Sequence, residues 1–87
     1  MKVKDSFVLR KIAGSNVVVP IGSETADFNG MMTLNETGAM LFGMLGKDRS
    51  IEDLTNAMLS EYDVSAAEAE ADVKSFIETL EKAGMLE

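Results

Sequence analysis

The chain has 87 residues, 46% of them hydrophobic and 26% charged, with a net charge of −7 and neither cysteine nor histidine. This length fits one domain, residues 1–87, which buries about 60–65% of its surface and has little material for an enclosed catalytic cavity. The composition excludes disulfides, thiolate nucleophiles, thiolate zinc sites and imidazole bases, leaving only all-carboxylate chemistry.

The first third of the chain reads as strands. Phe7-Val8-Leu9-Arg10-Lys11-Ile12 is rich in β-formers, Ala13-Gly14-Ser15 is a short turn, and residues 16–21 form the second strand of a hairpin. Pro20 has no N–H for a ladder, which places it at a strand end or facing outward. Residues 22–27 are a polar loop. Asn29-Gly30 is a tight-turn signal, so a third strand is expected from about Gly30 to Leu34.

Three helices follow, each with a start signal. Asn35 caps the first, with Glu36 near its positive end, and Gly38, Leu41, Phe42 and Leu45 form its inward stripe. Gly46 is expected to stop it. Gly43 lowers helix stability by about 1 kcal/mol relative to alanine, which implies a close packing partner. Ser50-Ile51-Glu52-Asp53 resembles a capping box for the second helix, whose stripe is Ile51, Leu54, Met58 and Leu59. Ser65-Ala66-Ala67-Glu68 is a full capping box for the third, with Ala69, Val73, Phe76, Ile77 and Leu80 as its stripe and Gly84 at its end. The expected class is α+β: a three-stranded antiparallel sheet followed by three helices on one face.

Charge is distributed unevenly. Residues 1–34 carry four basic groups against three acidic ones, and residues 35–87 carry four against twelve. An acidic helical half is a poor surface for a nucleic-acid backbone. No apolar run approaches the roughly 20 residues of a membrane span, and the first residues lead into no signal-peptide core, so a cytoplasmic location is expected. The segment Gly38 to Gly43 has no lysine and lies within a helix, so it is not a phosphate loop. The acids of the helix starts read as caps and solvated faces.

Two features point to binding. Six methionines (Met31, Met32, Met40, Met44, Met58 and Met85) give flexible, polarizable apolar surface as well as core filler. Met31 and Met32 are consecutive on a strand and face opposite ways. A hairpin that covers one side of the third strand leaves the other side as an edge, open to an added peptide unless the C-terminal residues or a second copy of the chain cover it.

Four segments, in order, carry a family resemblance. Leu34-Asn35-Glu36-Thr37-Gly38-Ala39 followed by Leu41-Phe42, then Arg49-Ser50-Ile51-Glu52-Asp53-Leu54, then Tyr62-Asp63-Val64, and the ending Ala71-Asp72-Val73, Phe76-Ile77, Leu80 and Gly84-Met85-Leu86-Glu87 resemble the PqqD family. Phe42 stands where many relatives carry tryptophan, and Ser50 where many carry threonine. The resemblance implies a winged-helix-like, non-catalytic domain without cofactor or metal, a monomer or weak dimer. It implies binding of a ribosomally made precursor peptide and its presentation to a modifying enzyme, often a radical S-adenosylmethionine enzyme. Carried over by position, the strand contacts are Gly30, Met31, Met32 and Thr33, through backbone, and the helix wall is Ala69, Asp72, Val73 and Phe76. Asp72 is then either a partner for a basic leader residue or a side chain that faces water. The competing classes are a winged-helix nucleic-acid-binding regulator, disfavoured by charge, and a structural dimerisation module.

Overall fold

The computed structural model describes residues 1–22 and 32–87. Strand β1 (Phe7–Ile12) and strand β2 (Ser15–Pro20) form an antiparallel hairpin that pairs Phe7 with Pro20 and Ile12 with Ser15. Ala13 and Gly14 link them with φ of 50° and 83°. Two positive values at the centre of a two-residue loop match the right-handed twist of the strands. Strand β3 (Met32–Leu34) pairs antiparallel with β2, placing Leu34 opposite Asn16, Thr33 opposite Val17 and Met32 opposite Val18. The sheet order is β1-β2-β3. The expected start of the third strand at Gly30 lies outside the described residues, as does the Asn29-Gly30 turn.

Helices α1 (Glu36–Met44), α2 (Ile51–Glu61) and α3 (Ala66–Lys82) complete the α+β arrangement. Each begins at the expected cap. Asn35 Oδ1 accepts from the Gly38 N–H at 2.8 Å. Ser50 and Asp53 form a reciprocal box, with Ser50 Oγ accepting from the Asp53 N–H at 3.0 Å and Asp53 Oδ2 from the Ser50 N–H at 2.9 Å. Ser65 Oγ accepts from the Glu68 N–H at 3.1 Å, the serine half of the box. The end of α3 is a Schellman turn. Gly84 takes φ 73°, its N–H donates to the Glu81 carbonyl, and the Met85 N–H donates to the Leu80 carbonyl.

Three expectations are corrected. Gly43 has nothing near the position a Cβ would take, so it marks no close contact; the tight approach is at Gly38. Gly46 is not in the left-handed region. Helix α1 instead tightens into i→i+3 bonds, Leu45 N–H to the Phe42 carbonyl and Gly46 N–H to the Gly43 carbonyl. Leu59 is 38% exposed, because α2 buries the narrower stripe of Leu54 and Met58.

Sheet and helices share one buried cluster. Phe7 and Val18 contribute from the sheet, Leu41, Leu45, Leu54 and Met58 from α1, α2 and the end of α1, and Ala69, Val73, Ile77 and Leu80 from α3. Met58 and Met85 are core, whereas Met32, Met40 and Met44 are half-buried against it. The C-terminal residues do not cover β3. Leu86 bridges Val3, with Lys4 N–H donating to the Met85 carbonyl and Glu87 N–H to the Lys2 carbonyl.

Candidate functional site: the β3 edge and the cleft between α1 and α3

The backbone direction of β3 follows from β2. The Ile21 N–H donates to the Ser6 carbonyl at 2.7 Å, which makes Ser6 and Ile21 a hydrogen-bonded position at the mouth of the hairpin. Antiparallel pairs alternate, so Val19 and Val17 also turn their backbone groups toward β1. Asn16 and Val18 therefore turn theirs toward β3, opposite Leu34 and Met32. Thr33, opposite Val17, points its N–H and C=O away from β2. On that side no strand follows in the sheet order among the described residues. Pro20 fits the same alternation, because β1 demands no donor from it at its pair with Phe7.

Side chains alternate with the backbone. Met32 and Leu34 lie on the same face as Val18, toward the helices, and Thr33 is exposed on the other face. Leu34 runs straight into the Asn35 cap. A Cβ built on Gly38 would lie 3.3 Å from Leu34 Cβ, 3.3 Å from Asn35 Oδ1 and 3.4 Å from Phe76 Cε1. The end of β3, the first turn of α1 and the middle of α3 thus meet at a position where only a hydrogen fits without displacement.

Beside this junction is an open cleft of about 350 Å³. Asn35, Thr37, Gly38 and Leu41 line it from the α1 side, and Asp72, Ser75, Phe76 and Thr79 from α3. The α3 residues recur at i, i+3, i+4 and i+7, one face of a helix. Among the described residues Asp72 is the only acidic or basic side chain in the lining. The Thr79 hydroxyl donates to the Ser75 carbonyl at 3.0 Å.

The residues singled out from the sequence fall into three groups. Gly30 and Met31 lie outside the described residues. Met32 and Thr33 form the described part of the edge strand, and Asp72 and Phe76 line the cleft. Ala69 and Val73 are fully buried and hold α3 against the core from behind. Sequence reasoning missed Asn35, Thr37, Gly38, Leu41, Ser75 and Thr79 as lining. The helical spacing of Ser75 and Thr79 from Asp72 was the available signal. The approach of α1 to α3 was not visible along the chain.

Residues 15–86 match the family model described as "Coenzyme PQQ synthesis protein D (PqqD)". Two solved structures are similar in fold. "TbiB1 in Complex with the TbiA(beta) Leader Peptide" aligns at 23% identity with a TM-score of 0.79, covering 100% of this chain and 95% of that one. "Lasso peptide synthetase B1 complexed with the leader peptide" aligns at 23% identity with a TM-score of 0.75, covering 97% and 93%. No curated protein matches the chain.

Proposed function

The chain belongs to the PqqD family, and from that premise we propose that it binds the leader of a ribosomally made precursor peptide by strand addition to β3. The bound peptide is presented to a modifying enzyme of the radical S-adenosylmethionine class, and the chain itself performs no turnover. The observation that carries this reading is the backbone of Thr33, whose N–H and C=O face the open edge. An added strand takes its backbone hydrogen bonds there, and its alternate side chains face the helices or solvent. The side chains that face the helices meet the cleft lined by Asp72 and Phe76. Gly30 and Met31 continue the strand contacts in this reading, and Ala69 and Val73 support the wall. Both similar folds are complexes with leader peptides, which supports the same occupant here.

A free leader must be ordered on binding, which offsets part of the contact energy. The expected affinity is on the order of micromolar, about −8 kcal/mol.

The test uses Thr33→Pro. The lost N–H points outward, so the β2–β3 ladder is unaffected and circular dichroism should match the wild type. A library of precursor-peptide leaders displayed on yeast supplies a binding peptide, which is then titrated into both proteins. Binding should weaken about tenfold or more in the variant, through the lost donor and the clash of the proline ring with the incoming strand. In NMR, the wild type should show peptide-induced shifts at residues 32–34 and 72–79. Shifts confined to the turn at Ala13-Gly14-Ser15 would sink the reading.

A further inference from the structure

We infer that the cleft between α1 and α3 selects a basic side chain, lysine or arginine, on the peptide that adds to β3. The inference rests on the strand-addition reading and names the chemistry that this site recognises. Its basis is the inventory of the cleft.

Size comes first. About 350 Å³ lies at the small end of ligand pockets, room for one long side chain and its surroundings. Position comes next. Leu34 adjoins the cleft through Gly38, so a residue of the added strand level with Leu34 and facing the helices points into it.

Charge sets the sign. Among the described residues Asp72 is the only acidic side chain in the lining, and no Lys or Arg shares it. Its neighbours on α3 are paired within the helix, Glu70 with Lys74 and Glu78 with Lys82, each at 2.7 Å. Asp72 has Phe76 four residues on and no ion pair among the described residues.

Hydrogen bonding agrees with the charge. The Thr79 hydrogen is directed to the Ser75 carbonyl, which leaves the Thr79 oxygen as an acceptor two helical turns along α3 from Asp72. A guanidinium or ammonium has donors only and matches the Asp72 carboxylate, and the Thr37 and Ser75 hydroxyls can rotate to accept from it. Phe76 and Leu41 offer apolar surface for the methylene stem, and the ring face attracts a cation.

The opposing effect is the positive end of α1, which favours anions. It is already answered from within the chain. Asn35 accepts from the Gly38 N–H, and the Glu36 carboxylate occupies the first turn.

The test probes the cleft without strand addition. N-acetyl-arginine amide, N-acetyl-leucine amide and N-acetyl-glutamate amide are titrated into isotope-labelled protein. The arginine compound alone should shift the amides of Thr37, Gly38, Ser75, Phe76 and Thr79. Asp72→Asn, at an exposed position without an ion pair among the described residues, should weaken that binding about fivefold with the fold unchanged. Equal shifts with leucine or glutamate, or no shift with arginine, would overturn the inference. The displayed leader library provides the second arm. Wild-type selections should enrich Lys or Arg at one fixed position, and Asp72→Asn selections should lose that preference. Enriched peptides that depend on the Thr33 edge but carry no fixed basic residue would overturn the cleft inference and leave strand addition standing. A failure of Thr33→Pro to weaken binding, with the arginine shifts intact, would overturn strand addition instead.

Discussion

Ala13 holds a φ of 50°, a conformation in which a Cβ crowds the following carbonyl. Asparagine tolerates it better, and Asn-Gly is the favoured pair for such a two-residue turn. Ala13→Asn should raise stability by about 0.5–1 kcal/mol, read as a higher urea midpoint at unchanged slope. The Ser50 cap is also local. Hydrogen bonds from the Ser50 backbone and hydroxyl hold the Asp53 carboxyl below its ordinary value. A carboxyl whose folded pKa is depressed stabilises the fold above its unfolded value, near 3.8, and loses that contribution as pH falls through the folded value. Ser50→Ala should therefore raise the Asp53 titration midpoint in a carboxyl-detected NMR titration. It should also flatten the acid side of the stability profile. An unmoved midpoint would show that the Ser50 hydroxyl is not a cause and that the backbone N–H, which the variant keeps, carries the effect.

At the scale of elements, the two interior glycines of α1 have opposite roles. Gly43 is exposed and faces open space, so Gly43→Ala should stabilise the protein by about 0.5–1 kcal/mol through helix propensity. Gly38 is buried between the end of β3 and Phe76. Gly38→Val should cost about 1–3 kcal/mol by overpacking and displace the Phe76 ring. Thermal unfolding of the pair should move in opposite directions. The elements themselves were legible because their signals are local. Residues 7–12 are rich in β-formers, Asn35, Ser50 and Ser65 sit where caps must, and Gly84 is the left-handed residue that ends α3. Leu59 was misread because its role depends on how wide a face the neighbouring elements cover, and Gly46 because α1 closes with i→i+3 bonds and not with a left-handed residue.

For the whole molecule, a single cluster ties sheet to helices, and a chain of this length has a small margin, about 5–10 kcal/mol. Leu80 is fully buried and accepts the bond that closes the Schellman turn. Leu80→Ala should cost about 2–5 kcal/mol, a large share of that margin. The measurement is equilibrium urea unfolding, and a loss under 1 kcal/mol would mean that the site collapses around the cavity. No helix among the described residues is long and apolar enough to cross a membrane. The acidic excess belongs to the helical half, which is also the half that forms the cleft. Its field favours cationic groups and disfavours a nucleic-acid backbone.

The sequence by itself determined the α+β order, the three caps, the core stripe of α3 and the family. Each of these depends on neighbours within a few residues or on motif order. It also pointed to Thr33, Asp72 and Phe76. Only the tertiary structure decided which way the backbone of Thr33 faces, because that depends on the hydrogen-bond alternation inherited through β2 from Ser6 and Ile21. It alone divided the α3 stripe, with Ala69 and Val73 fully buried and Phe76 at the cleft, since a helix face that borders both core and groove cannot be divided by periodicity. And it alone brought Asn35, Thr37 and Gly38 against Ser75, Phe76 and Thr79, which are far apart along the chain. A cleft between two helices is set by the approach of their axes, which no local pattern encodes.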